Sequence, residues 1–116
     1  MVDVDAEIEK SLLKGDYDGA EIVYQYPKTF TKLPVISYYN LTEHPDFSAD
    51  NAELIQSGWA QVDIWADKPN DCGKIAVKIN EVMNADGWAR EFSMSLKPDE
   101  NGAYHKTMRF AKIFNL

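Results

Sequence analysis

Cysteine is almost missing from this chain: Cys72 is the one thiol in 116 residues. No intramolecular disulfide can form, which excludes a disulfide-stapled scaffold. No apolar run approaches the roughly 20 residues that a membrane-spanning helix requires. Basic residues are the minority, with 12 Lys and Arg against 19 Asp and Glu and a formal net charge of -7. Tight nucleic-acid binding depends on cations that neutralise phosphates and release counterions. Lys28 and Lys32 are near each other, as are Lys106, Arg109 and Lys112, but acidic or apolar residues surround both sets. A dedicated DNA or RNA binder is therefore not expected, although a surface past which DNA slides is compatible with this charge. The chain also contains no glycine-rich phosphate loop, Gly-x-Ser-x-Gly elbow or dinucleotide fingerprint. Its first residues, Met1-Val2-Asp3-Val4-Asp5, are acidic where a secretory signal starts basic, so the expected place of synthesis and residence is the cytoplasm.

What is present suits one folded domain, residues 1–116. A chain of this length buries roughly two-thirds of its unfolded surface and needs no metal to hold it. The hydrophobic fraction of 45% and charged fraction of 27% lie near globular averages, which argues against disorder. Val4, Ile8 and Leu12 recur at fourfold spacing after Asp3 or Asp5 as N-cap, and Gly15 ends the segment; this predicts a short amphipathic helix. Asp16 to Lys32 reads as an irregular connector with one short extended piece. Pro34 introduces a β-branched and aromatic strand from Val35 to Leu41. Asn40 to Asn51, containing Pro45, reads as a long loop.

The clearest strand spans Glu53 to Ala66. Ala60, Val62, Ile64 and Ala66 alternate with Trp59, Gln61, Asp63 and Trp65, so one face is small and apolar and the other carries aromatics between polar groups. A second helix starts around Asp67–Asp71 with Pro69 in its first turn, capped by Asp or Asn. Its stripe is Cys72, Ile75, Ala76, Ile79, Val82 and Met83, and Asp86-Gly87 ends it. Trp88 to Leu96 alternates again, placing Trp88, Phe92, Met94 and Leu96 on one side. Lys97 to Gly102 closes a hairpin with Asn-Gly, and Ala103 to Phe114 returns with Tyr104, Met108, Phe110 and Phe114 on one face. The expected architecture is α+β, a four-stranded, mainly antiparallel sheet with two helices on one face, in the order α-β-β-α-β-β.

Few constellations suggest chemistry. Cys72 lies near a helix start, where the dipole can lower a thiol pKa, and His105 is its candidate base. Cys72 also belongs to the apolar stripe, so a small core residue is the simpler reading. His44, Asp46 and Asp50 share a loop without metal-ligand spacing. Asp16 and Asp18 resemble the start of a calcium loop whose later carboxylates are missing. Trp59 and Trp65 are either filling residues or interface residues, because aromatics are enriched where subunits meet.

The span Leu33-Pro34-Val35-Ile36-Ser37-Tyr38-Tyr39, followed by Gln61-Val62-Asp63-Ile64-Trp65-Ala66, resembles the tail-completion (head–tail joining) proteins of long-tailed phages and prophages. The Ala/Ile/Val-rich helix after that Trp-Ala, and the turn Asp99-Glu100-Asn101-Gly102 leading into Tyr104 to Phe110, are similar to the same family. The resemblance implies a fold like that of the lambda-type tail terminator. It also implies assembly with itself into a ring, commonly hexameric, that caps the tail tube protein and offers a docking surface to the head connector and neck proteins. DNA would pass through the bore only as cargo, with no membrane partner, and the finished protein would reside at the head–tail junction of the virion. The resemblance brings no catalytic, cofactor or metal residue, and none is expected. The surfaces expected to meet neighbours are Trp59, Asp63 and Trp65 on the sheet, His44 and Phe47 in the long loop, and Asp99 and Glu100 at the hairpin tip. The rival expectation is a small enzyme or ligand-binding domain on the open sheet face, with Cys72, His105 and Trp65 near a pocket.

Overall fold

The computed structural model describes residues 1–25, 33–49, 52–98 and 102–116, with side chains at 46–49, 52 and 53 outside that description. Helix α1 spans Val4–Leu12; Asp3 is its N-cap, accepting a 3.2 Å hydrogen bond from the Ala6 amide. Val4, Ile8 and Leu12 are fully buried, as the fourfold spacing predicts. Helix α2 spans Pro69–Ala85 and buries Cys72, Ile75, Ala76, Ile79 and Met83. Its N-cap is Lys68, without a side-chain capping bond, rather than the expected Asp or Asn. Pro69 at the first helical position supplies the fixed φ that starts the helix instead.

The sheet has five strands, not four: β1 (Glu21–Tyr24), β2 (Val35–Ala49), β3 (Ala52–Ala66), β4 (Ala89–Leu96) and β5 (Tyr104–Asn115). They lie in the order β1-β2-β3-β5-β4. β1 is the short extended piece of the connector. It joins β2 in parallel, Ile22 beside Ile36, which makes the sheet mixed; every other pair is antiparallel.

The expected loop at 40–51 is instead the distal half of a β-ribbon. β2 and β3 pair from Val35↔Trp65 out to Ala49↔Ala52, with register shifts between Asn40 and Thr42 and again after Pro45. Pro45 suits this place because, among the described residues, no strand lies outside this part of β2 and the register shifts just after it. Fifteen-residue strands at about 3.3 Å per residue span roughly 50 Å, and the molecule's longest dimension is 52 Å.

Both helices pack on one face. Val4, Ile8 and Leu12 of α1 and Ile75, Ile79 and Met83 of α2 join a single buried cluster with Ile36, Ala60, Val62, Ile64, Met108 and Phe110. Close approach at Gly58 matters here, because a Cβ at that position would sit 3.0 Å from both Val4 methyl groups. Trp88 also enters this core, 1% exposed, with its indole N–H donating to Ser11 Oγ at 3.2 Å. The sequence places Trp88 on the side of Phe92, Met94 and Leu96. A bulge between Arg90 and Phe92 breaks that alternation, so Trp88 faces the helices while the other three face away.

Candidate functional site

The face opposite the helices holds most of the chain's unusual side chains, and the register arranges them in four rows. One row runs Val35–Trp65–His105–Leu96 and the next Ser37–Asp63–Thr107–Met94. The third runs Tyr39–Gln61–Arg109–Phe92, and the fourth Thr42–Trp59–Ala111–Ala89. Alternation within each strand forces these residues to one side once their neighbours enter the core.

This face is not open throughout, as the sequence suggests it is. Its centre is buried: Ser37 and Asp63 are 0% exposed, and Val35, Trp65 and Thr107 are nearly so. The Asp63 carboxyl is held on both oxygens. His105 Nε2 lies 2.9 Å from Oδ1, and Gln61 Nε2 donates to Oδ2 at 3.1 Å. The Trp65 indole stacks on the His105 ring, centroids 4.4 Å apart and 16° from parallel. Burial of a polar group is tolerable when its bonds are made, and here they are supplied from β3 and β5 together. Two other buried atoms on this face, Ser37 Oγ and Arg109 Nε, have no hydrogen-bond partner among the described residues.

An aspartate–histidine pair is the orienting half of a nucleophilic relay. Among the described residues no nucleophile completes it: Ser37 Oγ has no hydrogen-bond partner there, and Cys72 lies in the core on the other side of the sheet. The Cys72 thiol packs from α2 against the helix-covered face, 3.4 Å from the Tyr104 carbonyl oxygen. Burial raises its pKa, with Lys106 opposing that shift. The structure thus brings Trp65 and His105 together and leaves Cys72 on the other side.

At the other end of the face, Trp59 separates two shallow grooves of about 440 and 410 Å³. Leu41, Thr42, Glu91 and Arg109 line the first with it, and Ser57, Ala89, Ala111 and Ile113 are among those lining the second. The Trp59 indole N–H donates to Glu91 Oε2 at 3.2 Å, and the His44 ring lies 5.1 Å from the Trp59 ring. The Arg109 guanidinium covers the Phe92 ring at 4.8 Å. Towards β4 the surface becomes apolar and accessible: Phe92 is 38%, Met94 50% and Leu96 38% exposed.

Of the expected contact residues, Trp59 and His44 meet in one cluster, and Asp63 and Trp65 sit in the buried centre. Phe47 lies on β2, with its side chain outside the described residues, as are Asp99 and Glu100 entirely. Sequence reasoning missed Gln61 as a ligand of Asp63, and Glu91 and Arg109 as groove residues. Alternation alone had placed Gln61 on the right face. Among the described residues, no three His, Cys, Asp or Glu side chains converge as a metal-binding group. No described helix is long and apolar enough to cross a membrane. No protein-family model matches the chain, and no curated protein matches it in sequence.

Proposed function

We propose that this chain is a structural assembly protein of a long-tailed phage or prophage, which caps the tail tube and joins it to the head connector as a ring of identical subunits. The observation that carries the reading is the accessible apolar surface of Phe92, Met94 and Leu96 on the edge strand β4. Such surfaces suit protein partners better than small molecules. The resemblance supports it further. Val35 to Tyr39 and Gln61 to Trp65, two of the segments that carry the likeness, pair residue for residue as neighbouring strands, so they form one unit of structure. The mechanism is geometric: interfaces between subunits close the ring, one rim fits the tube and the other fits the connector. A negative net charge of -7 lets DNA pass without being gripped. Electron microscopy of tails assembled without this protein should show overlong or headless tails. Particles of normal length with attached heads would refute the reading.

The groove beside Trp59 favours a second reading, a ligand-binding or catalytic domain, because Thr42, Glu91 and Arg109 converge there around an indole. Earlier grounds for it weaken, since Cys72 does not share the face of His105. Thiol titration of the native protein separates the two: the structural reading expects Cys72 to react slowly until unfolding, while rapid modification near neutral pH favours the rival.

A further inference from the structure

We propose that two copies of this chain pair antiparallel through the outer edge of β4, with Met94 on the two-fold axis. β4 ends the sheet, and among the described residues no strand covers its outer side. Folded proteins protect such an edge with lysine, proline or a bulge. Here the bulge and Arg90 come before Phe92, and Pro98 comes after Leu96. The stretch Phe92-Ser93-Met94-Ser95-Leu96 between them carries no charge and no proline.

The occupant is argued from the order of residue types, which is symmetric about Met94. In an antiparallel self-pair centred there, Phe92 faces Leu96 of the second copy, Met94 faces Met94, and Leu96 faces Phe92. These three pairs fall on the face turned away from the helices, where all three side chains are exposed. Ser93 faces Ser95 on the other side. The ladder ends at Phe92, because the bulge turns Glu91 to the Trp59 indole on the same face as Phe92. A shift by one residue would set apolar groups against serines. The result is a continuous sheet of ten strands with closed two-fold symmetry, made from the five in each copy. This pairing does not rest on the tail-joint reading; it protects the β4 edge of the free protein.

Sedimentation velocity of the full chain, from micromolar to submillimolar concentration, should show a reversible monomer–dimer equilibrium. Met94→Lys sets two ammonium groups against each other and should leave only monomer. Met94 is half exposed, so the fold is not at stake, and circular dichroism checks this. Met94→Leu keeps an apolar group on the axis and should retain the dimer. Oxidation should cross-link a Met94→Cys variant but not Leu96→Cys, whose two copies would lie about 13 Å apart in this register. A wild-type protein that stays monomeric throughout, an oligomer indifferent to Met94→Lys, or cross-linking at position 96 rather than 94 would each overturn the proposal.

Discussion

Replacing His105 with alanine should destabilise this protein more than any other single change on the face opposite the helices. Asp63 is fully buried, and its described partners are the His105 ring at 2.9 Å and the Gln61 amide at 3.1 Å. Removing the imidazole leaves one carboxyl oxygen buried without its partner. Breaking a buried ion-pair-like contact from one side costs about 3–5 kcal/mol, because the remaining group keeps its desolvation penalty. The lost stack on Trp65 adds about 0.5–1.5 kcal/mol. At roughly 4 °C per kcal/mol for a domain of this size, His105→Ala should lower Tm by about 14–26 °C. Gln retains a donor, so His105→Gln should lose about half as much, on the scale of one charge-assisted bond. Urea denaturation followed by tryptophan fluorescence measures both variants. The double variant Asp63→Asn with His105→Ala should recover part of the loss, since no carboxyl is then left behind. A cost below about 1 kcal/mol for His105→Ala would refute the reasoning, for it would mean that water reaches Asp63 freely. A rise in stability instead would favour a binding role for this pair, because functional polar clusters are commonly held at the expense of stability.

Gly58→Ala should cost about 1–3 kcal/mol, because the added methyl meets Val4 at 3.0 Å and Phe114 at 3.4 Å, and α1 must lift from the sheet. A companion Val4→Ala change should recover part of that loss, and thermal melts of the pair would reveal whether α1 is the element displaced. Stability should also fall at high pH. Burial pushes the Tyr17 hydroxyl up to about 12 from an ordinary value of 10, and it donates to the Leu12 carbonyl oxygen at 2.7 Å. A raised folded-state value means that the folded protein holds this proton more tightly. The contribution is complete below pH 10 and is lost as pH rises towards 12, up to about 2–3 kcal/mol. Tyr38 shifts in the same direction, through burial and then its bond to Glu9, so Tyr17→Phe should flatten the alkaline slope without abolishing it. An unchanged slope in that variant would exclude Tyr17 as a source.

Local pattern alone determined a good part of this protein. The fourfold spacing of Val4, Ile8 and Leu12, and the stripe from Cys72 to Met83, specify two amphipathic helices whatever surrounds them. The strict alternation from Trp59 to Ala66 likewise specifies a strand with one face for the helices and one for aromatics and polar groups. These signals are legible because they repeat within a single segment.

Only tertiary structure decided the rest, and in each case a distant partner is the reason. β1 has just four residues and exists as a strand because β2 lies beside it. Pro45 argues for a loop until the ribbon places it on an outer edge beside a register shift, where proline is tolerated. The bulge after Arg90 turns Trp88 into the core and Phe92 out of it, and no period-two reading reveals a one-residue slip. Asp63 and His105 are 42 positions apart, joined because β3 and β5 pair in a register set by the whole core. Residue order fixes which faces a segment can offer, but strand pairing across the sheet chooses which side chains meet on them.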